Sequence, residues 1–229
     1  MRLAIIPARG GSKRISKKNI KDFLGFPIIK YSIEAAKKSN LFDKVLVSTD
    51  DEEIAQIARY YHAEVPFLRP KKFSDDYSST VSVVVHAIKY LMKEGQNFEN
   101  ICCIYPCAPL LDPRDLISSF NFMREMNSES CIPICEFSSA PQRAFKLKED
   151  NRLDWVYPEY RNSRTQDLEK AYHDIGVFYW ATHTKWLTED ISQGVGYIVD
   201  SSRVIDIDTI NDWKQAELLF KFFNQNNTL

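Results

Sequence analysis

The chain has no apolar run near the ~20 residues that a helix needs to cross a bilayer, and its first apolar stretch, Leu3 to Ile6, is too short for a secretory signal. The first absence excludes a protein spanning the membrane by helices; the two together lead to the expectation of a cytoplasmic one. Its cysteines, Cys102, Cys103, Cys107, Cys131 and Cys135, are odd in number and form no C-x-x-C pair. That argues against zinc and for reduced core thiols. The phosphate-loop pattern G-x-x-x-x-G-K-[ST] and the dinucleotide turn G-x-G-x-x-G are both missing. An excess of positive charge is missing too. Lys and Arg number 30 against 31 Asp and Glu, a net charge of -1, whereas a nucleic-acid-binding domain is basic as a whole. With 44% hydrophobic and 27% charged residues, the 229-residue chain is expected to form one domain over 1–229.

What is present gathers at the start. Leu3 to Ile6 are apolar without alternation, as in a strand buried on both faces. The run ends in Pro7-Ala8-Arg9-Gly10-Gly11-Ser12-Lys13-Arg14, and Lys17, Lys18 and Lys21 follow with no acidic residue before Asp22. Adjacent glycines let backbone N–H groups approach a ligand closely, and the cations suit a polyanion. The segment is expected to cradle a phosphate chain; a solvated basic loop, or a nucleic-acid contact, is the alternative.

Strand and helix patterns then alternate. Helices are expected over 27–38, 52–61, 81–93 and 112–126, with Asp50-Asp51 capping the second and Pro113 opening the fourth. Strands are expected over 44–49 and 101–105, and Ser74 to Thr80 is expected as a polar turn. Repeated alternation predicts a mostly parallel sheet with helices on both faces, a three-layer α/β fold. In such a sheet the first loop, Asp50 and Tyr105-Pro106 come to one edge, where a ligand binds. From 129 to 172 the pattern breaks into short extended pieces rich in aromatics (Phe137, Phe145, Trp155, Tyr157, Tyr160). This stretch is too small to hold a core and is expected to be an inserted excursion that packs on a partner subunit.

A strand over 176–181 is expected to be followed by another over 203–208, then by a helix over 209–223. On an extended chain Asp206 and Asp208 face the same side. Two carboxylates so placed call for a cation, and Mg²⁺ uses one or two of them together with substrate phosphates. Helix capping by Asp208 or Thr209 is the competing explanation.

At this point the residues resemble a known family. Ile6-Pro-Ala-Arg9-Gly-Gly-Ser-Lys13-Arg14 with Lys18-Asn19-Ile, Val47-Ser-Thr-Asp50, Phe67-Leu-Arg69-Pro, and Asp206-Ile-Asp208-Thr with Asp212-Trp213 are similar to the signatures of the acylneuraminate (CMP-sialic acid synthetase) cytidylyltransferases. Within it, Phe42 to Ile54, Ser74-Asp-Asp-Tyr, Gln166 to Asp174 and Phe178-Tyr-Trp resemble most the branch that acts on pseudaminic acid. The resemblance implies a nucleotide-diphospho-sugar-transferase-like, Rossmann-like fold. It also implies a homodimer, and CMP transfer from CTP to the anomeric hydroxyl of a nine-carbon sugar acid with release of pyrophosphate. By motif, Arg9, Ser12, Lys13, Lys18 and Asn19, within the loop that holds Ala8, Gly10 and Gly11, would bind the triphosphate, with Lys18 near the α-phosphate. Arg69 and Ser79 would lie at the cytosine end, with Tyr105 and Pro106 beside the nucleotide. Asp206 and Asp208 would hold Mg²⁺, making Arg9, Lys18 and Asp208 the catalytic set. Arg164, before Gln166, would reach the partner's site.

Two departures bear on the sugar. Where sialic acid members carry Leu-Gln-Pro-Thr-Ser-Pro, this chain has Ile104-Tyr105-Pro106-Cys107-Ala108-Pro109, and their Asn-Gly is Ile175-Gly176, after His173-Asp174. A pocket with fewer polar partners suits a deoxygenated, acylated sugar, since an unpaired buried polar group costs ~1–3 kcal/mol. Tyr105, Cys107, Arg164, Gln166, His173 and Asp174 are the expected sugar contacts. N-acetylneuraminate and legionaminate are the alternative substrates, and a noncatalytic cytidine-nucleotide sensor is the alternative of another class.

Overall fold

Alternate residues of the first strand enter two different cores. The computed structural model describes residues 1–75 and 78–226. Asp76 and Tyr77, in the expected polar turn, lie outside the described residues, as do the last three. In β1 (Arg2–Pro7), Ala4 and Ile6 pack with Ile29, Ile33 and Ala36 of α1 (Ile29–Lys38) and with Ile54 and Ala58 of α2 (Glu52–Tyr60). Leu3 and Ile5 point to the opposite face, against Val84, Ala87, Ile88 and Leu91 of α3 (Thr80–Lys93). A strand covered on both faces must be apolar throughout, and this one is.

β1 lies between β4 (Lys44–Ser48) and β5 (Asn100–Ile104), parallel to both. Between β1 and α1 sits a small hairpin, β2 (Asp22–Phe23) with β3 (Phe26–Pro27). Helix α4 (Pro113–Glu125) packs Leu116, Phe120 and Met123 into the first core. The main sheet continues beyond β5 with β10 (Phe178–Thr182), β6 (Ser130–Glu136) and β11 (Val195–Ile198), while β9 (Tyr172–Asp174) pairs with the far half of β6. β11, β6, β5, β1 and β4 run one way, β9 and β10 the other. The sheet is therefore mostly parallel and the fold three-layered α/β. Between β9 and β10 the chain bends at Gly176, whose φ of 61° belongs to the left-handed region that glycine enters without strain.

Several places differ from the sequence reading. Pro27, at the head of the helix expected over 27–38, ends β3 instead, and α1 begins at Ile29. β6, at the head of the aromatic-rich stretch, is an inner strand of the main sheet; only 137–171 leave it, carrying the separate hairpin of β7 (Phe145–Leu147) and β8 (Leu153–Trp155). β11, four residues of half-buried alternation, was not expected. Residues 203–208 form no strand. After a 3-10 turn at Ser201–Arg203 the chain leaves through an extended Val204, and 204–208 run outside the sheet. Their alternation serves a different purpose: Ile207 packs with Ile15, Phe23, Ile28 and Trp213, leaving Asp206 and Asp208 on the other side. α5 (His183–Leu187) and α6 (Ile210–Asn226) complete the helices.

Candidate active site

The parallel strands end together, and the loop after β1 is pinned at that edge from several sides. The Ala8 N–H donates to Ser48 O at 2.9 Å. The Gly10 N–H donates to Asp50 Oδ1 at 3.1 Å. A Cβ on Gly10 would stand 2.5 Å from Asp51 Oδ2 and 2.9 Å from Asp51 Cβ, so only glycine fits there, whereas nothing lies within 4 Å of one on Gly11. Asp51 is itself committed, its Oδ1 capping α2 through the N–H groups of Glu53 and Ile54. Lys17, at φ 49°, turns the chain into a 3-10 turn, Lys18–Ile20, that presents Lys18 and Asn19. Asn19 Nδ2 donates to Arg9 O at 2.8 Å, and the Cys107 thiol donates to Asn19 Oδ1 at 3.2 Å.

These groups surround a cavity of about 300 Å³. Arg9, Ser12, Lys13, Arg14, Lys18 and Asn19 form its basic wall; Tyr105, Pro106 and Cys107 its base; Ile205, Asp206 and Ile207 the facing wall. At one end Arg69, only 5% exposed, rests its Nη2 3.4 Å from Asp50 Oδ1 and donates from Nε to Ser74 Oγ. Burial pulls its pKa down and Asp50 holds it up. Asp208 does not itself line the cavity but lies at its edge, where Arg14 Nη1 meets its Oδ2 at 2.6 Å and Lys18 Nζ stands 3.5 Å from its Oδ1. The start of the chain and its last loop thus share one site.

Asp212 accepts from the N–H groups of Asp208 and Thr209, and Thr209 returns a bond to the Asp212 N–H, so Thr209 and Asp212 cap α6 and the Asp208 carboxylate is not used for it. Burial, and then the charge of Asp208, raise the pKa of Asp206. A cation beside the pair would offset the charge that raises Asp206. Among the described residues no three His, Cys, Asp or Glu side chains form a metal cage. The donor set therefore fits an ion that completes its shell with substrate oxygens and water.

The remaining expected residues fall in three groups. His173 and Asp174 line an adjoining cavity of about 480 Å³, which shares Gly176, Ile205 and Asp206 with the first. His173 rests on Phe137, and Asp174 is held by the Tyr179 hydroxyl at 2.6 Å and the Gly176 N–H at 2.8 Å. Ser79 is exposed and caps α3 through the Ser82 N–H, while its neighbours Ser78 and Thr80 line the cleft. Arg164 and Gln166, at the 3-10 turn Thr165–Asp167, are exposed and line neither cavity. Arg14 was read as part of the basic loop but given no role of its own, and Thr80 and Tyr179 were given none. Thr80, bonded to the Tyr105 hydroxyl at 3.0 Å, and Tyr179 become partners of the site only through the topology. The five cysteines are free thiols. Burial pushes Cys107 up to about 12, so it is a hydrogen-bond donor here and no nucleophile.

Residues 3–176 match the family model described as Cytidylyltransferase. A pseudaminic acid cytidylyltransferase of Campylobacter jejuni is 45% identical over 96% of both chains. The CMP-N,N'-diacetyllegionaminic acid synthase of Legionella pneumophila is 30% identical, again over 96% of each. The N-acylneuraminate cytidylyltransferase of Escherichia coli is also 30% identical, over 93% of this chain and 51% of its own. Among solved structures, a CMP:2-keto-3-deoxy-manno-octonic acid synthetase complexed with CTP superposes with a TM-score of 0.71 at 16% identity, covering 96% of this chain and 98% of that one. A 4-diphosphocytidyl-2C-methyl-D-erythritolsynthase from Anaerococcus prevotii follows at 0.64 and 12%, with the same coverage. These two carry the fold, and the sequence relatives carry the family: the chain belongs to the cytidylyltransferases, in the branch that holds the pseudaminic acid and N-acylneuraminate enzymes.

Proposed function

We propose that this chain transfers CMP from CTP to the anomeric hydroxyl of a nonulosonic acid, pseudaminic acid, releasing pyrophosphate. The observation that carries the reading is the meeting of Arg14 and Lys18 with Asp208 at the edge of a cleft walled by the basic loop. The sugar assignment draws on the 45% identical relative and on the base of the cleft, where Tyr105, Pro106 and Cys107 offer few polar groups to a sugar.

Transfer of this kind asks little covalent work of a protein; it asks for placement and for charge where charge develops. Arg9, Ser12, Lys13 and the open side of Gly11 would receive the triphosphate, and Asn19, by holding the Arg9 carbonyl, would keep that loop in shape. Lys18 would neutralise the α-phosphoryl group as the sugar hydroxyl attacks in line and pyrophosphate leaves. Arg69, buried and braced by Asp50 and Ser74, would close the cytosine end. Asp206 and Asp208 would hold Mg²⁺, which when bound would supply positive charge to offset the negative charge developing on the phosphates. Arg14 and Lys18 also pair with Asp208. His173 and Asp174, in the adjoining cavity, would border the sugar, with Asp174 fixed by Tyr179.

We further propose a homodimer built on 137–171. Phe145, Leu147 and Leu153 are 48%, 68% and 59% exposed on the β7–β8 hairpin, an apolar face that a second copy would cover. Arg164, remote from its own cleft, would then serve the partner's. The test is incubation with CTP, Mg²⁺ and a panel of nonulosonic acids, reading pyrophosphate release. Turnover with pseudaminic acid above N-acetylneuraminate and legionaminate is expected. Preference for either of the others would reassign the sugar, and CTP binding without turnover on any of them would make the chain a nucleotide sensor.

A further inference from the structure

Asp206 and Asp208 stand on no strand, and no register of the sheet includes 204–208, so their placement must come from anchors on either side. The far anchor is Asp212, which holds the Asp208 and Thr209 N–H groups, together with Ile207 in its buried cluster. The near anchor is Arg203. Its Nη1 meets Asp115 Oδ2 at 2.6 Å and its Nη2 meets Oδ1 at 3.2 Å, a two-pronged grip on a buried aspartate whose side chain is only 10% exposed. The Tyr197 hydroxyl of β11 reaches the same carboxylate at 3.4 Å. Asp115 sits in the first turn of α4, a helix set in the core by Leu116, Phe120 and Met123, and that helix is already capped by Asp112. The grip is therefore not needed to start α4. It ties a rigid element to the chain three residues before Asp206, and neither partner lines the nucleotide cleft. A planar fork on a carboxylate fixes direction as well as distance, which a single-point lysine contact does not.

We propose that Arg203 and Asp115 are a positioning pair for the divalent ion held by Asp206 and Asp208, acting through the backbone of 204–206; this rests on the metal reading given above. Outer partners of metal ligands typically govern about 10–100-fold in affinity. The test is a Mn²⁺ titration followed by electron paramagnetic resonance, with CTP present and sugar omitted, corrected for Mn²⁺ held by CTP alone. Arg203→Lys and Asp115→Asn are compared with the unmutated chain and with Asp208→Ala. About tenfold weaker Mn²⁺ binding is expected in both variants, with circular dichroism and CTP affinity in ion-free buffer unchanged. A merely structural pair would lower the melting temperature and leave ion affinity alone. Unchanged ion affinity in both folded variants, with binding lost in Asp208→Ala, would overturn the positioning role only. Mn²⁺ binding indifferent to Asp208→Ala would overturn the metal site and this inference with it.

Discussion

Replacing Gly10 by alanine puts a methyl group where Asp51 already stands. The new Cβ would be 2.9 Å from Asp51 Cβ and 2.5 Å from Oδ2. The carboxylate can rotate, but the Asp51 Cβ is fixed by the backbone at the start of α2. Restoring a carbon–carbon contact of ~3.5 Å therefore moves the loop by roughly 0.6 Å. Two interactions are at risk. Disturbing the Asp51 cap costs ~1 kcal/mol, and losing the Gly10 N–H bond to the Asp50 carboxylate costs ~1.5–3 kcal/mol. Losing part of both, ~2 kcal/mol in all, lowers the melting temperature of a chain this size by ~4–8 °C. If the loop holds the triphosphate as proposed, a shift of this order lowers kcat/KM by ~10–100-fold, the sensitivity expected of misplaced binding groups. The assay is thermal unfolding by circular dichroism beside steady-state pyrophosphate release, with Gly11→Ala as the comparison, since nothing lies within 4 Å of its added carbon. Gly11→Ala should melt within a degree or two of the parent. A Gly10→Ala protein with parental melting temperature and KM for CTP would refute this view of the loop.

Mixing inactive Arg164→Ala with inactive Lys18→Ala should restore part of the activity, because a mixed dimer keeps one intact site; no recovery would mean that each site is built within one subunit. Cys107→Val, which strips the thiol bond from Asn19, should raise KM for CTP several-fold and Cys107→Ser should recover it; loss of sugar affinity alone would return Cys107 to the sugar pocket. Alkali should destabilise the fold. Burial holds the Cys131 thiol protonated up to about 12 against an ordinary value of 9.0, and raises Cys102 in the same direction. Between those values the unfolded chain has released protons that the folded chain keeps, so stability is full below pH ~9 and falls as the pH rises. Denaturant midpoints at pH 8 and pH 10.5 check this, and a flat profile would contradict it.

How far the chain could be read beforehand depended on where each signal lies. β1 and β5 announced themselves because strands buried on both faces are nearly all apolar, β4 through its short Val45-Leu46-Val47 run, and α2 and α4 because Asp51, Asp112 and Pro113 mark their starts. The basic loop was legible for the same local reason. The strand expected over 203–208 failed instructively: alternation of Ile205 and Ile207 with Asp206 and Asp208 records which side is buried, not whether a neighbouring strand is there to pair. β6 looked like part of an excursion because Pro133 interrupts it and aromatic-rich turns follow, yet it pairs with β10 and β9 along one edge and β11 along the other. Partners such as Tyr179 for Asp174, or Asp115 for Arg203, are separated by few or by many residues with no pattern to link them. Only the folded sheet brings them together.

The most direct measurement is a double-mutant cycle on pyrophosphate release for Lys18→Ala, Asp208→Ala and the two combined, in proteins whose circular dichroism matches the parent. If both side chains act on one magnesium nucleotide, each single change abolishes nearly all turnover and the double variant is scarcely worse than the poorer single one. Losses that simply add, or a near-parental rate in either single variant, would contradict a shared site.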